Sequence, residues 1–525
     1  MTRRHFIPFL LGLAAIVVTA NAQNRSTPDS YSDAQILHAI QRITFGPKPG
    51  DIEAVRRVGL EKWIQSQLHP ESIEENPVLQ ERLKPLESLS MTSNQLLNTT
   101  PEIGRTIILE GVSIVTPGNV IVNLPVQAMT PRRSPDMDLR DGKVYRDIYS
   151  NRQLEEVLVD FWFNHFNVST AKGGVFVADY EREAIRPFIL GKFKDMLVAT
   201  ALHPSMLQYL DNKASIAPEV AQPNGPDFTR IFEGARGLNE NFSRELMELH
   251  TLGVNGGYNQ KDIEAAARCF TGWFLKTTTA NSTTHEPASI GVFFMDWPHD
   301  PKDKVILGHT IKGGGDNEVF ELLEILATHP STAQHISKQL AQRFVADEPP
   351  QSLIDRMAKT FMDTDGDLRA VMTTMLTSRE FLSGDKALTK IKSPLELVIS
   401  AMRAVDAGTT NPTALEQWIA DMGEPLYSKI EPTGYPNTGE SWISTASLFV
   451  RLNFAASLVA DKIPGVALDR SRWKVNDTAA IGRSILGREL SSSTIQELRE
   501  GIVADQVTPA FIAGLILGSP EFQRK

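Results

Sequence analysis

The chain has 525 residues, 41% hydrophobic and 22% charged, with a formal net charge of −10 and one cysteine. That length exceeds what one hydrophobic core ordinarily serves, so two packed subdomains are expected. The acidic balance and the lack of any Lys/Arg-rich block exclude nucleic acid or an anionic membrane as the main partner, and a lone Cys269 excludes an intramolecular disulfide.

Arg3-Arg4, the apolar run Phe6 to Val18 and the small residues Ala20 and Ala22 form an export signal over residues 1–22, with a mature start at Gln23. Loss of Arg3 and Arg4 leaves 51 basic against 63 acidic residues, or −12. The apolar run is too short for a permanent membrane anchor. The same residues suit either an ordinary or a twin-arginine signal. A periplasmic or extracellular location is expected, and residues 23–31 read as a linker into a domain spanning 32–525.

Ser32-Asp33 opens a helix to Arg42, and a second runs from about Pro49 to Leu68. Residues 76–135 are rich in Pro, Ser and Thr, with Gly118-Asn119 between β-branched runs as one hairpin. Arg152 to Asn167 is apolar almost all round and should be buried, yet Glu156, Asp160, Asn164 and Asn167 form a polar line along it. Buried polar groups need partners, and Arg244, Arg268 and Arg186 are the expected ones. His165 lies on the apolar side, where a hydrogen-bonded core histidine is the plainer reading. Helices follow over Tyr180 to Leu197 and Ala199 to Leu210, then a Pro/Gly/Asn-rich loop.

Asn239 to Phe274 carries the densest run of ionisable groups on a helical period. Phe242, Leu246 and Leu249 form its apolar stripe, while Glu240, Arg244 and Glu248 share a polar side flanked by Asn241 and Glu245. Gly253 and Asn255-Gly256-Gly257 turn the chain. Asn259 caps a second helix with Ile263, Ala267, Phe270 and Phe274 on one line and Arg268 on the polar face. Such a run reads either as a solvated face of i,i+4 pairs or as a hydrogen-bonded cleft. Beyond it, 276–316 is irregular with short strands near Ile290 and Val305, and helices resume over 317–328, 331–344 and 350–362. Asp363 to Asp367 lacks the spacing of a calcium loop, so Asp367 is expected to cap the next helix. Ser393-Pro394-Leu395-Glu396 is a full capping box. Thr445 to Asp461 is helical, as are segments around Ile495 and Phe511 to Leu517. The fold expected is mainly α and multi-helical: two packed helical subdomains, about 32–275 and 317–525, with a few short strands in insertions.

The segments R-I-T-F-G-P from Arg42, R-Q-L-E-E-V-L-V-D-F-W-F-N-H-F-N from Arg152, E-N-F-S-R-E-L-M-E-L-H-T-L-G-V-N-G-G-Y from Glu240, A-A-R-C-F-T-G-W from Ala266, H-D-P-K-D-K from His299, R-L-N-F-A from Arg451 and the terminal L-G-S-P-E-F-Q together resemble the bacterial exported family called domain of unknown function 1800. The resemblance implies a mainly helical exported protein, often encoded beside a sulfatase-like exported protein of the domain of unknown function 1501 family. It implies no reaction. Phe188 stands where the resemblance expects a histidine.

Two functions are open on this reading. One is a hydrolase-like enzyme on an envelope or extracellular polymer, in which Glu245 and Glu248 supply acid, base or metal ligation and Arg244 holds an anionic or hydroxylated group. Asn241, Asp160, Asn164, Arg268, His165 and His250 are the candidate binding residues. A divalent metal is compatible with the carboxylates, although no ligand set is fixed. The other is a non-catalytic partner or carrier for the sulfatase-like protein. G-x-S-x-G, H-E-x-x-H, P-loop and Rossmann glycine patterns are all absent from the sequence.

Overall fold

Local signals set most helix starts in the computed structural model, which describes residues 31–99, 114–115, 121–122, 133–219, 237–278, 289–384, 387–471, 473, 478–501 and 508–525. Residues 1–22, expected to be an export signal, and nearly all of the expected linker lie outside these residues. The Ser32 hydroxyl accepts from Gln35 N while the Gln35 side chain accepts from Ser32 N, and this reciprocal cap opens the Asp33–Ile43 helix. The same device at Ser393 and Glu396 opens Pro394–Ala404, and Asp367 accepts from Ala370 N to start Leu368–Leu376. Helices Asn317–Ala327, Pro330–Phe344, Gln351–Asp363, Thr445–Val459 and Pro509–Gly518 fall where apolar periodicity puts them. The fold is mainly α, with short strands only in small two-stranded sheets.

Four departures have local causes. The helix expected from Pro49 to Leu68 is two, Asp51–Val58 and Leu60–Gln67, because Gly59 lies between them at φ 93°. The single helix expected over 180–197 is broken: Val177–Tyr180 passes into a π-helical turn, Glu181–Ile185, then a 3₁₀ turn, Arg186–Phe188, and a helix restarts at Phe193. Pro187 has no N–H and its ring crowds the preceding turn. A second π-helical turn, Leu246–Thr251, continues the Glu240–Glu245 helix. The Gln260–Cys269 helix ends before Phe274, which lies in the strand Trp273–Thr278 and pairs antiparallel with Phe293 of Ser289–Phe294. The expected hairpin at 114–122 pairs Ile114 with Val122 and Val115 with Ile121, its turn lying outside the described residues.

One hydrophobic cluster runs from Ile36 through Trp162, Leu340 and Val398 to Phe522, so segments 32–275 and 317–525 share a core. Each fully buried aliphatic or aromatic side chain there contributes about 1.5–3 kcal/mol. Cys269 is buried within it. Among the described residues no helix is long and apolar enough to cross a membrane.

The core also encloses imidazoles. His38, His203 and His250 are buried. Burial, helped by Arg42, lowers His38 to about 4; burial, helped by Arg182, lowers His203 to about 3; burial, helped by His335, lowers His250 to about 3. A base whose folded pKa is depressed binds fewer protons in the native state. The stability it supports is therefore complete above the unfolded value, about 6.5, and drains as pH falls from there toward the folded values. At pH 5 each histidine costs about 2 kcal/mol. Thermal melting is expected to drop steeply between pH 7 and pH 5. A flat melting temperature across that window would contradict neutral burial of these rings.

Candidate functional site

The polar line on the Gln153–His165 helix is met, residue by residue, by groups from distant parts of the chain. Glu156 takes a bidentate pair from Arg186, at 2.9 and 3.0 Å. The π-helical turn and the 3₁₀ turn after it carry Glu181 and Arg186 to the same place, where Arg186 also reaches Glu181 at 3.1 Å. Asp160 lies between Lys143 Nζ at 2.9 Å and Arg343 Nη2 at 3.2 Å. Lys143 also faces the buried Asp147 at 3.4 Å. Arg343 in turn touches Glu396, the capping-box residue, and Lys525 touches the same Glu396 oxygen.

The two amides grip a loop. Asn164 donates to Tyr435 O at 2.8 Å and accepts from Tyr435 N at 2.6 Å. Asn167 donates to the carbonyls of Lys429 and Glu431 at 3.0 and 2.9 Å, and the Tyr209 hydroxyl holds Ile430 O at 2.6 Å. Gly434 makes the approach feasible: it has φ +66°, and a Cβ there would fall 2.4 Å from Asn164 O.

Beneath helix and loop is a cavity of about 60 Å³, room for a few waters or one arm of a larger ligand. Four carboxylates line it, Asp160, Glu181, Glu396 and Glu424, against three cations, Lys143, Arg343 and Lys390. Every one of these cations is ion-paired, Lys390 with Asp347. Tyr435 and Trp442 also line it, their ring centroids 5.9 Å apart. Tyr427 supplies a strained wall: its φ of 56° is costly for a bulky residue, by about 1–3 kcal/mol, and it is held by its hydroxyl on Glu181 and by Thr170 N on its carbonyl.

The carboxylates differ sharply in charge. Burial pushes Glu424 up to about 7, with Asp160 adding to the rise and the Leu395 N–H opposing it. Burial alone would raise Glu396 too, but Arg343 and Lys525 outweigh it and hold Glu396 far below the usual carboxylate range. Arg186 and Arg146 likewise outweigh burial at Glu181 and keep it low. One cavity therefore contains fixed anions and one carboxyl group poised to exchange a proton near neutral pH.

The sequence model of the family described as protein of unknown function (DUF1800) matches residues 38–524. The chain belongs to that family. No curated protein and no solved structure matches it. Several stretches that carry the likeness to DUF1800 have structural work in this chain. In H-D-P-K-D-K, His299 meets the buried Glu318 at 3.0 Å, Lys304 meets its other oxygen at 2.5 Å, and Asp300 takes Arg268. In R-L-N-F-A, Arg451 donates to Gln523 Oε1 at 2.9 Å and Lys392 O at 3.0 Å.

The hairpin residues lie elsewhere. Asn241, Arg244, Glu245 and Glu248 do not line the cavity. Asn241 is exposed. Arg244 is 41% exposed and donates to Gln260 at 3.1 Å, with Glu240 4.0 Å away. Glu248 accepts from Tyr258 at 3.4 Å. Burial, then the Glu248 charge, raises the half-buried Glu245. Arg268 pairs with Asp300 and Glu219. The expectation that Arg244 or Arg268 meets Asp160 is thus corrected: Lys143 and Arg343 do so, and only the expectation for Arg186 holds, at Glu156. His165 donates Nε2 to His250 O at 3.1 Å, and His335 donates to Leu249 O at 3.2 Å. These core contacts brace the second π-helical turn. Among the described residues no group of three or more His, Cys, Asp or Glu side chains is placed to hold a metal ion.

Removing Asp160 leaves two cations short of a partner. Breaking a buried pair costs about 3–5 kcal/mol, and the 23% exposure of the Asp160 side chain sets the lower end. Asp160→Ala is expected to lose about 3 kcal/mol in denaturant melting. Glu245→Ala, on the hairpin face, is expected to lose less than about 1 kcal/mol. Equal losses would contradict the assignment of Asp160 to a charged, enclosed site.

Proposed function

We propose that this protein is an exported hydrolase-like enzyme acting on a neutral, hydroxylated polymer, with Glu424 as its proton donor and acceptor. The observation that carries the reading is Glu424 itself: a buried carboxyl with a pKa of about 7 on the wall of a cavity in which arginine and lysine hold Glu181 and Glu396 as anions. A group titrating near the working pH is best suited to general acid–base transfer. As water adds to the scissile carbon and the bond to the leaving oxygen breaks, the carboxyl gives its proton to that oxygen and recovers one from the adding water. Asp160 and Glu181 offer acceptor oxygens to hydroxyl groups, and Tyr435 and Trp442 offer apolar faces to a ring.

The cavity's charge argues for a neutral substrate. A phosphate, sulfate or carboxylate would have to take Arg343, Lys143 or Lys390 from an existing partner, leaving that partner buried and unpaired. A hydroxylated unit needs no such exchange. Envelope and extracellular polysaccharides have the required chemistry, and the export signal supports meeting them outside the cytoplasm.

The second reading, a non-catalytic partner of a sulfatase-like protein such as the resemblance implies, draws on a different feature. Phe449 and Leu452 of Thr445–Val459 are 67% and 52% exposed, and Phe511 of the adjacent Pro509–Gly518 helix is 43% exposed, an apolar face of the kind that partners cover. It leaves the protonation of Glu424 without a use.

Glu424→Gln keeps an acceptor for Leu395 N and imitates the neutral acid, so its melting temperature should stay close to wild type. Release of reducing ends from neutral polysaccharides should fall by about 100- to 10,000-fold, and the wild-type rate should follow an apparent pKa near 7. Undiminished turnover in the variant would remove Glu424 from the chemistry. Turnover of anionic polysaccharides alone would reverse the substrate assignment.

A further inference from the structure

The structure assigns a role in this cavity to the segment Phe522–Lys525: we propose that it clamps the wall carrying Lys390 and Glu396, and that Lys525 is the positioning residue that leaves Arg343 directed at Asp160. The inference rests on the cavity being the functional site, but not on its reaction.

The segment lies antiparallel along residues 390–392. Lys525 N donates to Lys390 O at 2.9 Å, Lys390 N to Lys525 O at 3.3 Å and Lys392 N to Gln523 O at 2.9 Å, with Ile391 opposite Arg524. Arg451 staples both sides through Gln523 and Lys392 O, and Lys392 Nζ stands 3.7 Å from the centre of the Phe522 ring. The backbone ladder thus fixes the stretch that supplies Lys390 to the cavity and Ser393 to the cap of the next helix.

The side chain of Lys525 does something the ladder does not. It is buried, which draws its pKa well below the usual lysine range, while the Glu396 oxygen that Arg343 also meets favours its charged form. The other Glu396 oxygen accepts from Ser393 N at 3.1 Å. Arg343 divides its guanidinium between Glu396 and Asp160. Without a second cation on Glu396, that fully buried carboxylate would draw Arg343 away from the more exposed Asp160, because an uncompensated charge costs most where water is excluded. Asp160 would then be less neutralised, and Glu424, which feels both carboxylates, would hold its proton more tightly. Lys525 thereby sets the cavity's field without touching a ligand.

The test follows the Glu424 carboxyl by carbon-detected NMR titration in protein labelled at glutamate side chains, with Glu424→Gln to assign the signal. Lys525→Met is expected to move that titration upward by roughly 0.5–1 unit, and Lys525→Arg to leave it in place. Arg524→Ala, an exposed change on the same segment, controls for loosening of the ladder and should not move it. An unshifted titration in a folded Lys525→Met would overturn the proposal. If Lys525→Met fails to fold, the double variant Lys525→Met with Glu396→Gln decides. Removing both charges should restore folding if the two are coupled, and a double variant as unstable as the single would overturn it. Turnover enters none of these readouts, so an enzyme inactive on polysaccharides leaves the test intact.

Discussion

A carboxylate inside a protein keeps its charge only where cations meet it, and the Gln153–His165 helix brings two such carboxylates, Glu156 and Asp160, to the centre of this molecule. Their partners come from everywhere else. Asp160 draws in Lys143 from one helix and Arg343 from another; Arg343 passes to Glu396, and Glu396 to Lys525. Glu156 draws in Arg186, which passes to Glu181. Breaking any link strands a buried charge at a cost of several kcal/mol, a large part of the net stability of a folded domain. The network therefore specifies how six segments pack as strictly as the apolar core does.

The same network creates a functional opportunity. Among the described residues Glu424 is the lining carboxyl with no direct ion pair; Arg343 and Arg451 act on it only from farther off, and burial is the largest influence on its protonation. The loop from Lys429 to Tyr435 is then held over the cavity by Asn164, Asn167 and Tyr209, all through backbone atoms. The Tyr435 side chain adds to this anchoring, its hydroxyl donating to Pro425 O at 2.9 Å while its ring lines the cavity. The strained Tyr427 fits this pattern, since its unfavourable backbone is paid for by contacts to Glu181 and Thr170.

The helices and their caps were legible in the sequence because they depend on neighbours three or four residues away. Ser32, Asp367 and Ser393 act as periodicity and capping rules say they should. The polar line from Glu156 to Asn167 was legible as a set of buried groups needing partners. The partners were not, since Arg343 is 183 residues from Asp160 and Lys525 is 129 from Glu396, and no helical wheel reaches that far. Glu396 reads only as a cap in sequence, although its second oxygen belongs to the cavity. Glu424 carries no local pattern; the turn-rich loop that follows it was its only signal. On the central hairpin the wheel put Glu240 and Arg244 on one face, where they lie 4.0 Å apart, but Glu248 falls in a π-helical turn with a different period, and a wheel cannot say whether a face meets water or another helix. Pro187 and Gly272 mark where the periodic reading overran: one breaks a helix into π and 3₁₀ turns, and the other precedes the strand that takes Phe274.

The central claim is that ligands enter the cavity under the 429–435 loop and not the polar face of the hairpin. Hydrogen–deuterium exchange of the full chain, with and without a soluble neutral polysaccharide, separates the two directly. Slowed exchange confined to residues 424–442 is the result this account predicts. Slowed exchange at residues 239–251, with the loop unchanged, would contradict it.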